Sequence, residues 1–182
     1  VGDEVRAPFA FLTNAEGFGA QGALTWAKTG AKAFTGATAV FHINPSQLGG
    51  LAPASPGTLE LVEITTNNAL VTFGYSRGSS MIDGAPYIGY YIANAAFGGA
   101  AALNNYKITA VQLVVDVWTE VKLSWLSSGQ FDVSYNGINV LSQSGFGSNA
   151  TKVTFRVGAF ASGNAQMMPP VRLDDVELSI RR

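Results

Sequence analysis

Apolar and polar residues alternate along much of this chain with a period of two. That is the spacing of a strand with one face on a core and the other on solvent. The longest clean run is Val117 to Trp125. Val117, Thr119, Val121, Leu123 and Trp125 fall on one face, with Glu120, Lys122 and Ser124 on the other. Ser127-Ser128-Gly129 then turns the chain. Phe131, Val133 and Tyr135 resume an inward face, with Gln130, Asp132 and Ser134 outward. Asn136-Gly137 follows, a strong hairpin signal because both central positions of the favoured turn need a positive φ. A two-residue loop there pairs Tyr135 with Ile138 and Val133 with Val140. Val117–Val140 therefore reads as a three-stranded antiparallel meander.

The same alternation predicts strands at Ala37–Ile43, Thr58–Ile64, Leu70–Ser76, Tyr87–Asn94, Lys152–Phe160 and Val171–Ile180. In Lys152–Phe160 the inward set is Val153, Phe155, Val157 and Ala159, while Lys152, Thr154 and Arg156 face out. The last segment changes phase: Val171 and Leu173 are odd, whereas Val176, Leu178 and Ile180 are even. A one-residue slip exchanges the faces, so a bulge is expected near Asp174–Asp175. Thr58–Ile64 slips in the same way. No helical period is visible. Ala93–Asn105 is Ala-rich but broken by Gly98-Gly99, and Gln47–Gly57 is rich in proline and glycine. Both read as irregular connections. Strand patterning resumes after each, so residues 1–182 are expected to form one β-sandwich domain.

Composition narrows the function classes. Apolar residues make up 47% and charged residues 13%, with a net charge of −1. An average soluble chain carries roughly 25% charged residues. No polybasic surface exists to grip nucleic acid, and no apolar run reaches the ~18 residues of a membrane-spanning helix. Cysteine is absent and histidine occurs once, at His42, so thiolate chemistry and a zinc site are not expected. Gly17–Gly22 contains Gly-x-Gly-x-x-Gly, but no strand–helix unit surrounds it, so it reads as a glycine-rich loop. No Gly-x-Ser-x-Gly elbow accompanies His42, which reads as a structural, hydrogen-bonded residue. Asn149-Ala150-Thr151 is a glycosylation sequon. The chain begins Val-Gly-Asp, as expected of a processed precursor or an excised domain.

Trp118-x-x-Val121-x-Leu123-x-Trp125, followed by Gly129-x-Phe131-x-Val133-x-Tyr135-Asn136-Gly137, resembles a stretch of the concanavalin A-like and laminin G-like jelly rolls. Arg172-Leu173-Asp174-Asp175-Val176-Glu177-Leu178 is similar to their closing strand. Phe9-x-Phe11 and Gly22–Trp26 sit where such domains have a first strand and loop. The resemblance implies an all-β fold, an antiparallel β-sandwich of the concanavalin A-like lectin/glucanase type. That superfamily holds lectins, adhesion modules, hydrolases, lyases and virion or surface-layer parts, so the fold alone does not give the function.

The resemblance also tells which motifs to seek. Hydrolases of this fold carry Glu-x-Asp-x-x-Glu on one strand, whereas here Glu60-Leu61-Val62-Glu63 lacks the central aspartate. Lyases of this fold carry Gln-x-His and an Arg-rich strand, whereas here Val40-Phe41 precede His42 and the arginines are scattered. The chain is therefore expected not to be an enzyme and to need no cofactor. A structural calcium is the one ion the resemblance suggests, with Asp174 and Asp175 as ligands alongside Asp3, Glu4 or Glu16.

Between Ala33 and Tyr106 only Glu60, Glu63, Arg77 and Asp83 are charged, and tyrosines crowd the same stretch. Tyr87 and Tyr91 share a strand face and Tyr90 takes the other. A tyrosine offers an apolar ring and a polar tip, which suits a sugar face or a protein interface. The expected function is a non-catalytic, extracellular or cell-surface carbohydrate-binding or adhesion module for an uncharged glycan. Its expected contacts are Tyr75, Arg77, Asp83, Tyr87 and Tyr91. The alternative is a self-assembling subunit of an extracellular filament, surface layer or virion, with copies of itself as partner and Val5–Leu12 as a donated strand.

Overall fold

The computed structural model describes residues 3–7, 11–13, 22–45, 57–67, 69–77, 87–94, 106–112, 114, 116–145, 149–161 and 171–182. Among them every regular element is a strand. They are β1 (Asp3–Ala7), β2 (Phe11–Thr13), β3 (Gly22–Thr29), β4 (Gly36–Pro45), β5 (Gly57–Thr66), β6 (Ala69–Arg77) and β7 (Tyr87–Asn94). β8 (Tyr106–Gln112), β9 (Thr119–Leu126), β10 (Phe131–Tyr135), β11 (Ile138–Gln143), β12 (Lys152–Ala161) and β13 (Val171–Arg181) complete the set. Two antiparallel sheets result. One runs β1-β13-β4-β9-β10-β11, with β2 also on β13, and the other runs β3-β12-β5-β6-β7-β8.

The inward residues of the two sheets form one core. Phe41 of β4 meets Phe73 of β6 edge-on across the interface, with ring centroids 5.3 Å apart, a favoured geometry for aromatic pairs. Val121, Leu123 and Trp125 are buried as the alternation requires, and so are Val153, Phe155 and Val157. Lys122 and Lys152 on the opposite faces are exposed. Val117, expected inward, is 47% exposed, because β9 begins two residues later at Thr119.

Both expected phase slips are bulges. On β13 the register shifts between Asp174 and Glu177. Asp175 adopts a φ of 50° there, and its N–H donates to Asp174 Oδ1 at 2.9 Å. A short polar side chain tolerates this left-handed conformation better than most. On β5 the shift lies between Glu60 and Val62, so Leu61 and Val62 are both buried although adjacent. The hairpin after β10 has φ values of 48° at Asn136 and 78° at Gly137, as a type I′ turn demands. Tyr135 pairs with Ile138 as expected, but Val133 pairs with Leu141, because a bulge absorbs Val140.

The segment proposed as a donated strand serves its own sheet instead. Val5 pairs with Leu178 and Phe11 with Leu173. The connections expected at Gln47–Gly57 and Ala93–Asn105 lie largely outside the described residues.

Candidate functional site

Chemistry-bearing residues collect on the outer face of the six-stranded sheet. β12 places Arg156 outward because Phe155 and Val157 point into the core. Register sets Arg156 opposite Thr25 of β3 and Glu63 of β5. Glu63 lies opposite Thr72 of β6. Thr72 in turn lies opposite Tyr91 of β7, and Tyr91 opposite Tyr106 of β8. One cross-strand row thus spans all six strands: Thr25, Arg156, Glu63, Thr72, Tyr91, Tyr106. A guanidinium and a carboxylate stand at neighbouring positions near its middle.

Burial along this row is not that of a plain solvated face. Arg156 and Glu63 are half-buried, and Thr72 is only 2% exposed although it alternates with the core residues Val71 and Phe73. Glu63 Oε1 accepts a hydrogen bond of 2.8 Å from the Thr65 hydroxyl, which fixes the carboxylate on that face. Arg156 is likewise engaged within the chain. A face with fixed, half-sheltered polar groups of both signs can accept and donate hydrogen bonds to a polyhydroxylated ligand without first ordering long side chains.

The tyrosines singled out from sequence divide over the register. Tyr87 stands opposite Ser76 and Tyr91 opposite Thr72, whereas Tyr75 stands opposite Ile88, in the β6 series of Val71 and Phe73. Arg77 ends β6 opposite Gly57, and Asp83 lies outside the described residues. Arg156, Glu63 and Thr72 were missed as a group. The outward parity of Arg156 was readable, but its meeting with Glu63 depends on the pairing of β12 with β5, which no local pattern encodes.

His42 lies on the outer face of the other sheet, in register with Glu120 and Asp174. Its Nδ1 is buried and makes no hydrogen bond. The nearest carboxylate oxygen, Asp175 Oδ2, is 3.6 Å away, beyond hydrogen-bond range. The hydrogen-bonded histidine expected from sequence is therefore corrected to one that faces a carboxylate without bonding it. Among the described residues, no group of three or more His, Asp or Glu is placed to hold a metal ion. The Asp175 N–H donates to Asp174 Oδ1, and Glu16, offered with them as a calcium ligand, lies outside the described residues.

No protein-family model and no curated protein sequence matches the chain. Solved structures do. The alginate lyase AlyC3, determined in complex with dimannuronate, is similar at 10% identity, with a TM-score of 0.56 over 88% of this chain and 75% of that one. The family PL7 alginate lyase AlyA1 from Zobellia galactanivorans is similar at 15% identity, with a TM-score of 0.53 over 86% of this chain. This chain spans 65% of that lyase's length. The binding domain of botulinum neurotoxin serotype G follows at 10% identity and a TM-score of 0.50, over 97% of this chain and 42% of that one. At such identities the likeness carries the fold.

The expectation that the chain is not an enzyme is overturned by these matches, because two of the structures with the same fold are lyases. Missing linear motifs were a poor criterion. Register brings Arg156 and Glu63 side by side from distant strands, a neighbourhood that no linear motif records. Two facing antiparallel sheets with these strand orders, matched to these structures, give the chain the jelly-roll fold of the concanavalin A-like sandwiches.

Proposed function

We propose that this domain binds a glycan along the outer face of the six-stranded sheet, in an extracellular or cell-surface setting. The observation that carries the reading is the row Arg156, Glu63, Thr72, Tyr91, with its buried threonine and half-buried charges outside the core. β6 and β7 belong to the charge-poor, tyrosine-rich stretch of the sequence, and register sets Thr72 and Tyr91 beside the charged pair. Hydroxyls of a sugar would bridge the guanidinium and the carboxylate, and tyrosine rings would stack on its apolar face. The dimannuronate complex of one fold neighbour supports a saccharide as ligand class.

The test is a glycan array, followed by calorimetric titration of the best neutral and best uronate-containing oligosaccharides. Arg156→Ala and Tyr91→Ala should each weaken binding about tenfold or more, the first by loss of a charge-assisted contact and the second by loss of a stacked ring. Tyr75→Ala should leave affinity within about twofold. The same oligosaccharides are followed for chain cleavage, since the fold neighbours include lyases. No binding to any glycan, or equal loss in all three variants, would remove the outer face as the site.

A further inference from the structure

We infer that β3 is a pairing edge for a second copy of this chain. A strand at a sheet edge presents unpaired backbone N–H and C=O groups, and stable monomers blunt such edges with charges, prolines, bulges or very short strands. The other edges here are blunted. β1 is five residues long and carries Asp3, Glu4 and Arg6. β11 contains a bulge at Val140, and its Leu141 N–H is taken by Asn139 Oδ1 at 2.9 Å. β8 pairs across a register shift and carries Lys107.

β3 has none of these devices. Its eight residues pair with β12 from Gly22–Ala159 to Thr29–Lys152 without a bulge, and it contains no proline. Its single charge, Lys28, is half-buried and engaged within its own chain. The strand also leaves apolar surface open. Leu24 lies opposite buried Val157 yet is 52% exposed. Trp26 stacks on Phe155 at 5.5 Å but stays half-buried. Among the described residues, β3 is therefore an uncovered lip on the core side, next to a free ladder.

The same sequence fits itself. In an antiparallel pairing centred on Trp26, Trp26 meets its own copy, Thr25 meets Ala27, and Leu24 meets Lys28. No like charges oppose one another, and each lysine stem covers a leucine. The pairing is a closed two-fold arrangement, because the one edge is used by both copies. The outer faces of the two six-stranded sheets then continue as one surface. The inference is independent of what that surface binds.

Sedimentation velocity of the full chain, from micromolar to near-millimolar concentration, tests it. The expected mass is two chains, falling to one in Leu24→Lys, which places a charge on the lip at an exposed site. Ile138→Lys, on β11 at the far edge, should remain two chains. Acrylamide quenching should report a more shielded tryptophan in the dimer than in Leu24→Lys. Thr25→Lys, on the other face of the same strand, repeats the test should Leu24→Lys lose its β-sheet circular dichroism. A wild-type mass of one chain throughout, a dimer that survives both β3 lysines, or open-ended larger assemblies would each overturn the pairing.

Discussion

Replacing Asn136 separates two contributions that the β10–β11 turn combines. Its φ of 48° is left-handed. Its side-chain Oδ1 accepts from the Glu120 N–H at 2.9 Å, and its own N–H donates to the Glu120 carbonyl at 2.9 Å. Asn136→Ala keeps the backbone donor but removes the side-chain acceptor, a loss of about 0.5–1.5 kcal/mol. Alanine keeps the Cβ but lacks the short polar side chain that lets asparagine tolerate the left-handed conformation, which costs L-residues about 1–2 kcal/mol. The sum is about 1.5–3.5 kcal/mol. Asn136→Gly loses the same acceptor but is relaxed at positive φ, so it should cost only about 1 kcal/mol. With a urea m-value of about 2 kcal/mol/M, the two midpoints should separate by about 0.5–1 M at equal m. Equal destabilisation by the two substitutions would refute the strain component. A loss below about 0.3 kcal/mol in both would mean the side-chain bond contributes nothing in solution.

Other outcomes follow from burial and geometry. Phe155→Ala removes a fully buried ring stacked on Trp26 and should cost about 3–5 kcal/mol, read by urea denaturation. Gly36→Ala should destabilise through contact rather than strain, since its Cβ would lie 2.9 Å from the Trp125 carbonyl oxygen and from Arg181 Nη2. Gly137→Ala meets nothing within 4 Å at a φ of +78°. Its cost should be strain alone, about 1 kcal/mol net, in thermal or urea unfolding.

The fold was legible wherever one face of a strand is buried and the other is wet, because the period of two then encodes the face directly. Val121–Trp125 and Val153–Val157 are such cases. Even the bulges at Asp174–Asp175 and in β5 were visible, as changes in the parity of apolar residues. Strands without that contrast were not. β8 alternates only over Tyr106–Ala110 before Val111 breaks the pattern, and Val117 has the parity of the core but lies before the strand begins. The extra residue at Val140 was missed although it leaves the same trace as the bulge in β5: Val140 and Leu141 are adjacent in sequence and both pack against the core.

The candidate site lay at a still less legible level, and a double substitution of Arg156 and Glu63 tests whether it is more than structure. Sequence assigns each residue a face but not a neighbour; the neighbour is set by which strands pair and in what register. Opposed charges at paired positions on a sheet surface contribute only about 0.2–1 kcal/mol to stability. A purely structural pair should therefore show a coupling of that size in unfolding, and the two single substitutions should matter to nothing else. A binding pair should show the reverse. Glu63→Gln and Arg156→Gln should each change stability by less than about 1 kcal/mol yet weaken the oligosaccharide found by the array about tenfold or more. Their effects on affinity should be less than additive, since a sugar hydroxyl bridging both groups loses its bridge with either one. Fully additive losses in affinity would separate the two residues into independent contacts. A large coupling in stability with unchanged affinity would return the row to the scaffold.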